Sequence, residues 1–439
     1  MADASTSGRV STGLSGVVER ASRDPDYQFY SVAHLIDEQA LERAYRRLRK
    51  DAAVGVDGVT VEAYGRALQE NLKGLHERLK SMRYRHQPIL RVHIPKERGK
   101  TRPLGISTVE DKIVQGALKE LLEAVFEPIF LETSYGFRPK RSAHDALREL
   151  NRVVYRGEVN WILEADIVAF FDSINRKVLV EMLQKRVLDG SLLRLVGKCL
   201  HVGVLDGEEF SEPGAGTAQG SIISPLFGNV YLHYVLDLWF EQDVRPRLKG
   251  KAHLIRYADD FLITFERQDD AERVQAVLGQ RMEKFGLTLH PDTTRLFAFQ
   301  RPPRSEQSGK GPGTFDFLGF TCFWKRTRSG RWEMAFKTRR ARLRRAIKAV
   351  YDYCRRYRHW SVKEQHASLR SRLYGHIHYF GVNGNATRLA AFVFHSTRAW
   401  FKWLCRRSQK ARLNQERFED LLRDFPLPKP LVCVQIWGC

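Results

Sequence analysis

Residues 252–265, AHLIRYADDFLITF, hold two adjacent carboxylates, Asp259 and Asp260, inside a run that is otherwise largely apolar. Leu254, Ile255, Phe261, Leu262, Ile263 and Phe265 read as buried strand residues, and an ionised carboxylate among them requires a partner. The pattern predicts two strands joined by a tight turn, with both acids presented at one end of a sheet. Asp166 stands in a matching context, after Trp161, Ile162 and Leu163 in WILEADIVAFFDSI. Three carboxylates converging on one sheet edge make an oxygen-rich site suited to Mg²⁺. Two such ions, about 3.5–4 Å apart, would activate a 3′-hydroxyl and stabilise a leaving pyrophosphate. The plain alternative is a solvated hairpin turn, because turns favour Asp.

Charge narrows the partners. The 439 residues, enough for roughly two or three domains, carry 73 Lys and Arg against 51 Asp and Glu, a net charge of +22. Such a surplus points to nucleic acid or an anionic membrane surface. No window approaches about 18 uninterrupted apolar residues, and the first twenty residues lack a signal-peptide core. No membrane partner and no export are therefore expected. Cys199, Cys322, Cys354, Cys405, Cys433 and Cys439 are scattered without a CxxC pair, which predicts reduced thiols in a cytoplasmic protein.

The excess charge is concentrated between Lys325 and Arg358, where 14 Lys and Arg face only Glu333 and Asp352. Leu343, Ile347, Val350, Tyr351 and Cys354 fall on one helical face. The other, including Arg339, Arg340, Arg344 and Lys348, is nearly continuous positive charge. One sign at this density repels itself unless a polyanion neutralises it, so salt-dependent binding along phosphates is expected.

The remaining pattern divides the chain. Residues 1–25 are rich in Ser, Gly and small residues and read as a flexible tail. Helical spacing runs from about 30 to 83, with Leu35, Ala40, Leu41, Ala44 and Leu48 near one face, and again over 108–150. QPILRVHIPKERGKTRPLGI reads as a hairpin turning at ERGK. Strands interleaved with helices indicate an α+β fold with an antiparallel sheet. The segment QRPPRSEQSGKGPGT, residues 300–314, reads as a linker or exposed loop. His376 and His378 alternate as on a strand or turn and, lacking Cys or acidic companions, are not read as metal ligands. Tyr379, Phe380, Trp400 and Trp403 could stack on bases, although aromatics at helical spacing are more often core. GAGTAQG, residues 214–220, has neither GxGxxG spacing nor a surrounding βαβ unit, so it is not read as a dinucleotide-binding loop.

RYADDFLI, DIVAFFDSI, GTAQGSIISPLFGNVYLHYVLD, VGVDGVT, IPKERGKTRPLGI, SYGFRPKRSAHDAL and FDFLGF occur in an order that resembles the bacterial group II intron maturase type of reverse transcriptase. The resemblance covers about residues 30–430. It implies a right-hand polymerase: an N-terminal extension and fingers over 26–160, a palm over 161–320, a basic helical thumb or maturase domain over 321–430, and a C-terminal tail over 431–439. It implies RNA-directed DNA synthesis using two Mg²⁺ ions, for which Mn²⁺ can substitute. Asp166, Asp259 and Asp260 are then the catalytic metal ligands, with the Ile167 carbonyl completing one shell. Phe171 is the steric gate that excludes a ribose 2′-hydroxyl, core packing beside Phe170 being the alternative. Lys96 and Arg102 flank a hairpin turn and reach the triphosphate, unless they are simply solvated; Gln219 touches the template or incoming nucleotide. The implied partners are structured intron RNA, an RNA or DNA template with its DNA primer, and dNTPs.

Two departures stand out. Ala218 replaces the usual Pro, which alters loop stiffness. Thr293 replaces a Lys regarded as able to protonate the leaving pyrophosphate, so that role is in doubt or passes to Arg295. The Cys pairs and His of the family's nuclease region do not follow before Cys439, so a chain without endonuclease, priming from existing DNA ends, is expected. A host-adopted polymerase in DNA repair or phage defence, and a splicing factor without polymerisation, are the competing readings.

Overall fold

The computed structural model describes residues 12–95, 101–157, 159–207, 209–211, 216–217, 220–303, 313–407 and 413–437. Helices α1 (Thr12–Arg23), α2 (Glu38–Arg46), α3 (Val61–Gly65) and α4 (Leu68–Lys80) precede a hairpin of β1 (Ile89–Pro95) and β2 (Thr101–Ile106). Then come α5 (Val109–Phe126), α6 (Ala143–Tyr155), β3 (Trp161–Asp166), α7 (Phe170–Ser173), α8 (Arg176–Gln184) and α9 (Gly190–Leu200). The short strands β4 (Val204–Asp206) and β5 (Glu209–Ser211) lead to α10 (Ser224–Leu232), which continues as wider π turns over His233–Asp237 and Trp239–Val244. After these lie β6 (Ala252–Tyr257), β7 (Asp260–Phe265), α11 (Gln268–Lys284), β8 (Arg295–Ala298), β9 (Thr314–Phe317), β10 (Phe320–Arg326) and β11 (Trp332–Thr338). Helices α12 (Arg340–Arg356), α13 (Val362–Phe380), α14 (Ala386–Leu404) and α15 (Gln415–Asp424) complete a mixed α+β architecture. Among the described residues, no helix is long and apolar enough to cross a membrane.

The central sheet has the order β6-β7-β3-β8 and is antiparallel throughout. Side chains alternate between its two faces. Leu163, Ala165, Phe261, Ile263 and Phe265 enter one core with helices α1, α2, α5 and α8–α11. Ile162, Ile255 and Leu262 point the other way, into a second core with α6, β9–β11 and the end of α13. Because both faces are covered, these strands read as nearly continuous apolar runs. The hairpin of β1 and β2 joins β4 and β5 in a second sheet, order β2-β1-β4-β5, and β11-β10-β9 form a third. Helices α12–α15 build a third core around Trp400, whose indole N–H donates to Gln365 Oε1 at 3.0 Å.

Three expectations need correction. Residues 12–23 are not tail. Leu14, Val17 and Ala21, spaced i, i+3 and i+7, form an apolar stripe buried in the same core as α5. Nor is the C-terminal segment free. Val434 bridges to Val382, Ile436 is buried, and the Trp437 indole donates to the Met334 carbonyl at 2.9 Å. His376 and His378 lie in α13, not on a strand; His376 stacks on Phe392 at 3.8 Å between centroids, and burial lowers its pKa to about 4. Phe380 and Trp400 are core, and Tyr379 packs against the second core.

Candidate active site

Strand β3 lies beside β7, and the last pair of that ladder is Asp166 with Asp260. Directly paired residues point to the same face, so both carboxylates leave the sheet on the side of β9 and β10. β6 and β7 close with Tyr257 opposite Asp260, leaving a two-residue turn of Ala258 and Asp259. Asp259 is thereby held in the turn next to the facing pair. The structure thus brings Asp166, Asp259 and Asp260 to one sheet end.

Three non-glycine residues with positive φ surround this point: Ala169 (44°), Ala258 (59°) and Leu318 (50°). Such conformations are uncommon for residues with a Cβ and cluster where a backbone must be aimed. Ala169 begins the short helix α7 three residues after Asp166, and Ala258 makes the turn before Asp259. Leu318 and Gly319 form the two-residue turn between β9 and β10, and the Leu318 N–H bonds to the Asp260 carboxyl. The FDFLGF segment therefore meets the carboxylates directly.

A cleft of about 450 Å³ opens here, lined by Glu164, Asp166, Asp260, Asp292, Thr293, Arg295, Asp316 and Arg339. Two cations face the carboxylates and each is already bonded. Arg295 Nε donates to Glu164 Oε2 at 2.7 Å, with its guanidinium 5.0 Å from the Phe297 ring centroid. Arg339 Nε lies 2.9 Å from Asp316 Oδ2. Burial, then the Asp166, Glu164 and Asp259 carboxylates, push Asp260 up to about 8. That crowding of like charge on hard oxygen donors is what a divalent cation relieves, and the residue set fits Mg²⁺ or Mn²⁺. Among the described residues, no three His, Cys, Asp or Glu side chains are gathered so as to hold an ion as they stand.

The other expected residues fall as follows. Ile167 bridges Leu289 through its neighbours: His290 N–H donates to the Asp166 carbonyl and Val168 N–H to the Thr288 carbonyl, at 2.8 and 2.9 Å. In such a pair the residue's own carbonyl turns away from its partner, so that of Ile167 turns from Leu289 toward the β7 side. Phe171 is half-buried, 5.2 Å from the Phe170 centroid. A Cβ on Gly228 of α10 would lie 2.9 Å from the Phe170 ring and 3.3 Å from the Phe171 ring, so both rings are seated on that glycine. Thr293 lines the cleft with Asp166 and Asp260, and Arg295 is committed to Glu164. Arg102 lies on β2 opposite Ile94, but its side chain, like Lys96 and Gln219 as a whole, lies outside the described residues. Arg340, Arg344 and Lys348 are exposed along α12, whereas Arg339 reaches back into the cleft.

Charged residues on the opposite face of the sheet escaped the sequence reading. Arg256 of β6 and Asp237 of the π turn after α10 are both 0% exposed and pair at 2.6 Å. Arg256 Nη1 also donates to the Ala258 carbonyl and to Asn229 Oδ1, at 3.1 and 3.0 Å. An Arg inside an apolar strand, LIRYADD, and an Asp inside an apolar helix, YVLDLWF, were the available signals, because buried charges occur in pairs.

A model of the family described as reverse transcriptase (RNA-dependent DNA polymerase) matches residues 94–322. The group II intron-encoded protein LtrA of Lactococcus lactis subsp. cremoris is 35% identical over 205 residues, 46% of this chain and 34% of that protein. Protein YkfC of Escherichia coli (strain K12) is 35% identical over 245 residues, 54% of this chain and 63% of its own. The putative COX1/OXI3 intron 1 protein of Saccharomyces cerevisiae is 31% identical over 308 residues, 59% of this chain and 37% of that protein. The chain thus spans less than two thirds of the length of each of these relatives.

Proposed function

Because the chain belongs to the reverse transcriptase (RNA-dependent DNA polymerase) family, we propose that it extends a primer 3′-hydroxyl with dNTPs on an RNA template. The observation that carries this reading is the facing of Asp166 and Asp260 with Asp259 in the adjoining turn. These three carboxylates and the Ile167 carbonyl would hold two Mg²⁺ ions, or Mn²⁺ in their place. When bound, the ions supply Lewis-acid activation of the hydroxyl and neutralise the leaving pyrophosphate.

The chain's own residues divide the remaining work. Phe171, seated on Gly228, excludes a 2′-hydroxyl from the sugar pocket. Arg102 and Lys96 meet the triphosphate, and Gln219 meets the template or the incoming nucleotide. Arg295, already paired with Glu164, does not readily replace the family's Lys at position 293, so pyrophosphate leaves without a protein proton donor there. In right-hand terms, residues 26–160 serve as N-terminal extension and fingers, 161–320 as palm and 321–430 as thumb.

The likeness to group II intron-encoded proteins, together with the exposed basic face of α12, supports maturase-type binding of structured intron RNA through Arg340, Arg344 and Lys348. Primer extension by the purified protein on an RNA template, with Mg²⁺ and dNTPs, tests the reading. Template-dependent DNA product is expected. Its absence with both Mg²⁺ and Mn²⁺ overturns the polymerase assignment.

A further inference from the structure

Asn229, Asp237 and Arg256 form a buried cluster beneath the turn that carries Asp259, on the sheet face opposite the cleft. Arg256 pairs with Phe261 across β6 and β7, whereas Tyr257 pairs with Asp260. Alternation along the strand therefore sends the guanidinium away from the carboxylates and toward α10. There it donates Nε to Asp237 Oδ1 at 2.7 Å and Nη2 to Asp237 Oδ2 at 2.6 Å. The bidentate geometry fixes the guanidinium plane. Its remaining amino group, Nη1, holds the Ala258 carbonyl and Asn229 Oδ1.

Asn229 extends the cluster to a second backbone segment. Its Nδ2 donates to the Gly136 carbonyl at 2.8 Å. Gly136 is pressed against the same turn: a Cβ there would overlap the Ala258 nitrogen and lie 2.9 Å from the Tyr257 carbonyl carbon. Tyr135 N–H and the Thr133 carbonyl bond to the backbone of Arg256, both at 2.8 Å. The turn is thus gripped from below by a guanidinium and from the side by a glycine that leaves no slack.

The π turn explains how one helix supplies both partners. On a straight α-helix, position 237 would lie about 80° round from position 229, at 3.6 residues per turn. The π turn over His233–Asp237 advances less per residue and returns Asp237 to the face of Asn229. Both side chains then meet one guanidinium.

We propose that Arg256, held by Asp237 and Asn229, is a positioning residue that sets where the turn presents the Asp259 carboxylate to a divalent cation. The proposal rests on the polymerase reading only for its consequence in catalysis; its consequence for metal binding stands by itself. Arg256 is not among the described residues that line the cleft, so its effect on chemistry runs through the position of the turn. Partners of this outer kind typically change metal affinity or activity by roughly 10- to 100-fold.

Two variants test it. Arg256→Lys keeps the charge beside Asp237 but cannot also hold the Ala258 carbonyl. Asn229→Ala removes the middle link, and Ala favours the helix. Mn²⁺ binding to the protein is followed by electron paramagnetic resonance, primer–template binding by anisotropy, and extension at several Mg²⁺ concentrations. Thermal unfolding identifies folded variants, and either variant alone carries the test. At least one folded variant should bind Mn²⁺ about tenfold more weakly and need correspondingly more Mg²⁺ for half-maximal extension, with primer–template affinity unchanged. Wild-type Mn²⁺ affinity in every variant that folds overturns the proposal. A wild-type protein that binds Mn²⁺ but makes no DNA overturns the polymerase reading instead and leaves the metal-binding comparison decisive for the positioning role.

Discussion

The Tyr379 hydroxyl of α13 donates to the Leu318 carbonyl at 2.9 Å, and the N–H of the same Leu318 reaches the Asp260 carboxyl. A single residue with positive φ therefore joins the long helices of the C-terminal third to the carboxylate end of the central sheet. The Tyr379 ring also stacks against Phe320 at 5.8 Å, which fixes the hydroxyl's approach.

Tyr379→Phe removes that bond while keeping the ring. A typical hydrogen bond contributes about 1 kcal/mol net, so thermal unfolding should shift by only a few degrees. Primer extension should fall several-fold, because the turn facing Asp260 is freer. Differential scanning calorimetry beside single-turnover extension checks both halves; a large stability loss with unchanged extension would mean that the bond is purely architectural.

Asp260→Asn should separate stability from activity. Burial and three other carboxylates push Asp260 up to about 8 from an ordinary 3.8, so near neutral pH the metal-free chain must take up a proton there to fold. Asn has no proton to take up and should raise the unfolding temperature in metal-free buffer. Added Mg²⁺ should then stabilise the wild type, since a ligand that binds only the native state raises its stability, and should do little for the variant. Melting curves with and without Mg²⁺ decide this.

Much of this site was legible in the sequence because strand alternation and adjacent acids leave few arrangements. The run around Asp259 and Asp260 had to be a hairpin tip, and Asp166 had to end a neighbouring strand. What stayed hidden depends on contacts distant in sequence. Helix α1 reads as tail because Ser and Gly dilute the Leu14, Val17 and Ala21 stripe, which is stabilised only by the core it enters. Residues 431–437 carry no periodicity, and docking of Trp437 on Met334 cannot be inferred locally. His376 and His378 mimic strand alternation, yet the capping box of Ser361 and Glu364 starts a helix that runs past both. The Arg256 and Asp237 pairing requires the π register of the helix, which no local pattern announces.

His233 gives a pH signature. It is buried against the Phe130 ring, and burial lowers its pKa to about 4 from an ordinary 6.5. Below 6.5 the unfolded chain takes up a proton that the folded chain refuses, so this group's share of stability is lost as pH falls from 6.5 to 4. The slope should approach about 1.4 kcal/mol per pH unit within that window. His233→Gln should flatten it, as denaturant titrations at several pH values will show; an unchanged slope places the effect in other groups.

Phe171→Ala should raise rNTP incorporation relative to dNTP, because the ring seated on Gly228 is removed from the sugar pocket. Competitive incorporation assays read the ratio directly. If the variant is active and the ratio is unchanged, the ring serves packing with Phe170 alone.

Replacing Arg340, Arg344 and Lys348 together by Gln should weaken binding to structured RNA and flatten its salt dependence. Each lost phosphate contact reduces the log–log slope by about 0.7–0.9. Single-nucleotide addition at saturating primer–template should be spared, since these side chains are exposed along α12 and do not line the carboxylate cleft. Filter binding across a salt series checks this; equal slopes for variant and wild type would assign the surplus charge elsewhere.

The most direct measurement is single-turnover primer extension on an RNA template by the wild type and by Asp259→Asn, alongside RNA-binding titrations of both. Asp259 sits half-buried in the two-residue turn and Asn keeps its shape, so folding and RNA affinity should match the wild type while extension falls by orders of magnitude. Wild-type extension by Asp259→Asn would contradict the assignment of this sheet end as the catalytic centre.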